Sequence, residues 1–292
     1  MPGPHWFKGA TSGAFDDGTN WDTGLVPATS EAWGMNRLAT RDITSGLNQS
    51  AKTFSRIVFH PSCVFGIPTA LQCNATELRW CGGGAPVFLS GTFTNISCDS
   101  PARTSPGLNL DAVFTTLGIL AGWVRLIGTR VAAANSRITV SGRKDAGVED
   151  AKLEIHATTV DLTTNDTILS LDNGTIETIA NVDRLIQSGG LFRLGRALES
   201  GDPDAAALLL ADCLGGSMEW NSTGTITEHH AGGDHKFSLN NSDWARTLTT
   251  MTMDGECDID LSNGHNLTVT NPIRQRGGIL RPPVGRTLAL AG

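Results

Sequence analysis

Residues 152–199 fall into three successive stretches of 16 residues, KLEIHATTVDLTTNDT, ILSLDNGTIETIANVD and RLIQSGGLFRLGRALE, that align without a gap. Superposed, they give apolar columns Leu153/Leu169/Leu185 and Val160/Ile176/Phe192, with looser columns Ile155/Leu171/Gln187 and Leu162/Thr178/Leu194. Apolar and polar residues alternate over four or five positions in each copy, the pattern of a half-buried strand, so each copy reads as strand, tight turn, strand, turn. A fixed period means units that bury their faces on one another. Ile138/Val140 stands 15 residues before Leu153/Ile155 and extends the ladder backwards; Met218/Trp220 and Phe237/Leu239 extend it forwards, and Met251/Met253 lies 16 residues before Leu267/Val269.

Two all-β architectures fit. In a parallel β-helix, or solenoid, each copy is one coil; in an antiparallel β-sandwich or meander, Asp172-Asn173-Gly174 and Asp254-Gly255 are hairpin turns, for which Asn-Gly and Asp-Gly are strong signals. The solenoid is the expected fold, because the column register persists through copies whose turns differ (HATT, DNGT, SGGL), as stacking requires.

The rest of the chain is arranged around this ladder. Residues 1–50 carry no sustained period and form an irregular N-terminal cap or attachment segment; residues 51–271 form the body, and residues 272–292 a C-terminal arm. Strands begin at Phe54 with FSRIVFH, TELRWCG, PVFLSG and FTNIS. Residues 99–110 hold two Pro and read as a projecting loop. The apolar run AVFTTLGILAGWVRLIGTRVAA is expected to be two strands across a turn near Gly118 to Gly122, with Arg125 and Arg130 directed outward. Asp202-Pro203-Asp204 before AAALLLADCLGG supplies an N-cap, a Pro at the first helical position and a Gly terminator, predicting a short inserted helix near residues 203–213 with Leu208, Leu209, Leu210 and Leu214 packed on the sheet. The arm contains Arg274, Arg276, Arg281 and Arg286, no acid, and Pro282-Pro283. It is where contact with a neighbour is expected.

A net charge of −7 and the absence of a Lys/Arg run argue against nucleic-acid binding, which needs a basic stripe to displace counterions from phosphate. No stretch approaches a membrane span, and the N-terminus has no apolar signal core, so the chain is expected to be made and kept in a cytoplasm or to leave it inside an assembly. The six Cys are expected as reduced, buried thiols, because nothing points to an oxidising compartment. Cys63, Cys73, Cys81 and Cys98 contain no CxxC pair, which leaves zinc there a minor alternative.

Candidate chemistry is sparse. The acid pairs Asp16-Asp17, Asp202/Asp204 and Asp258/Asp260 read respectively as a turn, a helix start and the solvent face of a strand rather than as the acid and base of a glycosidase. Ser262-Asn263-Gly264-His265-Asn266 is a distant echo of a pectinase segment whose other parts are missing. Glu228-His229-His230 with Asp234 and His235 could bring two imidazoles and a carboxylate to one ion, yet reads better as a polar loop with its tip at Gly232-Gly233. Eight Asn-x-Ser/Thr sequons, Asn74, Asn95, Asn165 and Asn173 among them, follow from a composition rich in Asn and Thr. No nucleotide or acyl-transfer motif is present. Neither a catalytic residue, a metal ligand nor a cofactor is assigned.

The run Asn20-Trp21-Asp22-Thr23-Gly24-Leu25-Val26-Pro27 resembles the NWxxGxVP segment that leads into β-helical regions of autotransporter-like bacterial surface proteins and of some structural proteins of tailed bacteriophages. The resemblance spans about 25 residues and implies that Trp21 covers the open end of the sheet, that Gly24 takes a backbone conformation closed to other residues, and that Pro27 ends the loop. An exposed, sugar-binding Trp21 is the functional rival. Together these features lead to a non-enzymatic virion protein, a capsid-decoration or appendage subunit made in the host cytoplasm. It would be homo-oligomeric, with a trimer as one fitting form, and bound to a major capsid or tail protein. The alternatives are a surface-adhesin passenger fragment and a phage polysaccharide depolymerase.

Overall fold

The computed structural model describes residues 3–82, 85–100, 106–128, 136–142, 151–156, 167–196, 204–239, 245–262, 267–282 and 288–290. Its strands are all joined in parallel. The first rungs are β1 (His5–Phe7), β2 (Ala32–Met35), β3 (Asn48–Phe59), β4 (Ile67–Trp80), β5 (Val87–Asp99) and β6 (Leu108–Leu126). Shorter strands follow, with two to a coil at first: β7 (Arg137–Val140), β8 (Ala151–Ile155), β9 (Ile168–Leu171), β10 (Thr175–Thr178), β11 (Val182–Gln187), β12 (Leu191–Leu194), β13 (Leu208–Cys213), β14 (Ser217–Trp220), β15 (Ile226–Ala231) and β16 (Lys236–Leu239). The last rungs are β17 (Arg246–Met253), β18 (Asp258–Asp260), β19 (Leu267–Val269), β20 (Arg274–Gln275), β21 (Ile279–Arg281) and β22 (Leu288–Leu290).

The architecture is the parallel solenoid. β9 and β10 flank Asp172-Asn173-Gly174 yet do not pair: β9 pairs with β7 and β11, and β10 with β8 and β12. The Asn-Gly and Asp-Gly signals therefore mark corners of a coil, with Gly174 and Gly255 in the left-handed region at φ 95° and 75°. These turns bend the chain onto a new face instead of reversing it.

Inward side chains stack in continuous columns. One runs Trp33, Ile57, Leu78, Ile96, Leu117, Ile138, Leu169, Leu185, Ala211, His229 and Met251. On the next face runs Val124, Leu153, Ile176, Phe192, Met218, Phe237, Ile259 and Leu280. The 16-residue spacing is thus true of one coil, linking Leu169 to Leu185 and Ile176 to Phe192. Leu153 stacks on Ile176 rather than Leu169, Ile138 on Leu169 rather than Leu153, and Leu267 on Arg246 rather than Met251. Corners accept insertions without disturbing the rungs, so coil length drifts while the register across strands is kept. Val160 and Leu162 lie outside the described residues.

The inserted helix is not found: Leu208–Cys213 is strand β13, whereas Asp202 and Pro203 lie outside the described residues. Its inward residues Leu208 and Ala211 are three apart because the strand bends from one face to the next, as do Val182/Leu185 in β11 and Ile226/His229 in β15. A bent strand thus imitates helical spacing. Leu209 and Leu214 face solvent, so they do not pack on the sheet as expected. From Ala112 to Leu126 the apolar run belongs to one strand, β6, which bends at Gly122 (φ 95°) and passes from pairing with β7 to pairing with β8, and residues 129–133 of the run lie outside the described residues. Arg125 faces outward and binds Glu154; Arg130 lies outside the described residues.

The stretch expected to be irregular contributes β1, β2 and the start of β3, and it seals the edge of the first rung. Asp22 N–H donates to the Trp6 carbonyl (3.0 Å), Lys8 N–H donates to the Asn20 carbonyl (2.6 Å), and the Asp22 carboxylate accepts Trp6 N–H (2.9 Å). Behind this seal Trp21 is fully buried against Phe7 and Phe15, and its indole N–H donates to the Phe15 carbonyl at 2.8 Å. Trp21 is therefore a packing residue, not an exposed sugar platform. Gly24 takes φ 73°, and Pro27 is buried. At the other end the expected arm carries the final rungs, β20 on β17, β21 on β18 and β22 on β19.

Candidate functional site

Corner geometry creates the chemically distinctive place in the stack. The residues preceding β10, β12 and β14 are Gly174, Gly190 and Gly216, with φ of 95°, 68° and 75°, and a Cβ on Gly190 would lie 2.6 Å from the Gly174 carbonyl oxygen. One rung later the corner is longer, Gly232-Gly233-Asp234-His235, and His235 holds the glycine position: its carbonyl accepts Asp258 N–H as that of Gly216 accepts Lys236 N–H. The wider corner lets an imidazole into the interior, where His235 is fully buried.

His229 reaches the same space from the middle of β15, above the small side chain of Ala211. Its ring packs on Phe237 (centroids 4.8 Å apart) and edge-on to His235 (5.3 Å). The two Nε2 atoms are 3.3 Å apart, and His235 Nδ1 lies 3.3 Å from the Gly215 carbonyl oxygen. Cys213, at the end of β13, completes the group: its Sγ and the nearest nitrogen of each imidazole all lie within 4.8 Å of one another. Gln187 stacks on Cys213 in the rung beneath. Its Nε2 donates to the carbonyls of Gly189, Gly190 and Ser217, while its Oε1 is buried without a partner, as is His229 Nδ1.

Burial keeps the trio neutral. It drives His229 well below the usual imidazole range and His235 down to about 4, and it pushes the Cys213 thiol far up. Each charged form would lose its hydration in an apolar interior.

This arrangement corrects the polar-loop reading of Glu228 to His235. Strand alternation sends His229 inward and its neighbours outward, with Glu228 exposed and His230 binding Asp212 at 2.9 Å. Asp234 is exposed and is not part of the cluster. Cys213 was missed because it comes from another rung, a neighbour in space that linear spacing does not reveal.

Asp17, Asp204, Asp258 and Asp260, from the three acid pairs, have local structural partners. Asp17 caps a short 3-10 turn and is held below the usual carboxylate range by hydrogen bonds from Thr19 and Thr11. Asp258 binds Arg281 at 2.7 Å, and Asp260 accepts from Ser262, which lowers its pKa. Asp204 accepts Arg196 N–H at 2.9 Å. Asp202 and Asn263 to Asn266 lie outside the described residues.

Outward charges pair within and across rungs: Glu77 with Arg79 of its own strand and Arg56 of the adjoining one, Glu154 with Lys152 of its own strand and Arg125 of the adjoining one, and, across rungs, Arg193 with Glu219 and Arg184 with Asp212. A second group of possible ligands, Glu154, His156 and Glu177, sits inside this network. A shallow cleft of about 390 Å³ near the sealed end is bordered by Trp6, Asn36, Arg37, His60 and Ser62. All six cysteines are free, and every one except Cys81 is buried. Among the described residues no helix is long and apolar enough to cross a membrane.

Comparison with known proteins returned no matching family model, no matching curated protein and no matching solved structure.

Proposed function

We propose that the chain is a non-enzymatic structural subunit of a tailed-phage virion, a decoration or appendage of the capsid or tail that assembles as a homo-oligomer on a major capsid or tail protein. The observation that carries this reading is the use made of outward charge: Glu77, Glu154, Asp212, Glu219 and Asp258 are each held by an arginine of an adjoining rung, and Glu154 also by Lys152 of its own. Such ladders spend polar groups on cohesion between coils, which suits a stiff, load-bearing rod. The NWDTGLVP segment supports the same reading, since its resemblance reaches phage structural proteins and it closes one end of the stack.

Gold-labelled antibody against the purified protein, applied to intact virions that carry this gene, is expected to decorate a fixed position on the particle. Absence of label from virions, together with release of reducing ends when the protein meets host capsular polysaccharide, would replace the structural reading with that of a depolymerase. Absence of label together with a location on the bacterial surface would favour an adhesin.

A further inference from the structure

We propose that Cys213, His229 and His235 hold one divalent metal ion of the zinc class inside the solenoid, with Gln187 Oε1, directly or through one trapped water, as the fourth donor. This site is independent of the virion reading.

One thiolate and two imidazoles form a donor set suited to Zn²⁺ and its tetrahedral substitute Co²⁺. Two nitrogens bound at about 2.0–2.1 Å with a tetrahedral angle stand about 3.3–3.4 Å apart, and the two Nε2 atoms here are 3.3 Å apart. His235 Nδ1 faces the Gly215 carbonyl, so a proton on Nδ1 donates outward and the Nε2 lone pair points into the cluster. A backbone carbonyl orienting a ligating imidazole in this way is the usual outer support of a metal site.

The surroundings favour an ion over an uncharged cluster. A direct hydrogen bond between the two imidazoles would account for their separation, but it gives the Cys213 thiol and the buried, unpartnered Gln187 Oε1 no role. A cation gives both a partner and turns the buried thiol into a ligand thiolate. Because all three side chains are shut off from solvent, the ion has no open position for substrate and acts as a staple between the rung of β13 and that of β15.

The test uses the full chain, expressed in minimal medium supplemented with Zn²⁺ or Co²⁺, since a sealed site is filled during folding. Elemental analysis is expected to give one ion per chain after dialysis against a chelator. The Co²⁺ form is expected to have a thiolate-to-metal charge-transfer band and the intense visible bands of four-coordinate cobalt. Cys213→Ala should abolish the charge-transfer band and His235→Gln should remove most of the metal, with circular dichroism reporting retained β structure. Soluble, folded wild-type protein without stoichiometric metal overturns the proposal whatever the variants do. So does a charge-transfer band that persists in Cys213→Ala.

Discussion

From Trp33 to Leu185 one interior column is apolar at every rung, whereas its continuation reads Ala211, His229 and Met251 beside a neighbouring column that reads Gln187, Cys213 and Ala231. In the lower rungs this column offers only apolar contact, so within it one coil can stand for another. The upper rungs contain groups that must find particular partners, which gives that part of the stack an internal address. Apolar stacking specifies that rungs pile up, and the polar rungs specify which rung lies on which.

Breaking the apolar side should have the largest effect. Leu169→Asp places an unpaired carboxylate between Ile138 and Leu185 and is expected to cost on the order of 4 kcal/mol, read by urea denaturation or as loss of soluble protein. Thr167→Asp, which looks harmless from the sequence as a turn position, is expected to be costly too, because Thr167 is fully buried.

A smaller effect tests the polar side. Ala211→Leu copies the residue of the rung beneath but drives its side chain towards His229, for a cost of about 1–3 kcal/mol. His229→Ala in the same chain should recover part of this loss. Two additive changes in a double-mutant cycle would mean that the imidazole does not occupy the space above Ala211.

The outer faces should respond to acid. Burial raises the pKa of Glu154, but hydrogen bonds from Lys152 and Arg125 outweigh it and hold the carboxyl below its ordinary 4.5. The group's contribution is therefore complete above that value and is lost as pH falls through the lower folded value. Urea midpoints should decline below about pH 4.5, and Glu154→Gln should flatten the decline. Smallest of all is Arg281→Gln, which breaks a half-exposed pair with Asp258 and is expected to change stability by no more than about 1 kcal/mol, as for most surface ion pairs.

The class of fold was legible because alternation is a local property: inward positions such as Ile138 and Val140 follow from the pleat of the strand alone. Coil length was not, because it is decided at corners whose insertions leave the rungs untouched, and so Leu153 and Leu169 shared a spacing without sharing a column. The helix expected near residues 203–213 failed for a related reason. Its capping signals and Ala/Leu content favour a helix locally, but the interior columns claim Leu208, Ala211 and Cys213, and tertiary packing overrides propensity. At the candidate site the imidazoles were visible as a pair. What hid the site was that its sulfur arrives from the preceding coil.

The seal made by Asn20, Trp21 and Asp22 makes the edge of β1 a poor template for another chain. Backbone groups of Trp6 and Lys8 that an open edge would offer to a further strand are already bonded to Asp22 and Asn20. A second copy arriving at that edge would have to break those bonds before it could pair, so growth of a stack through β1 is disfavoured.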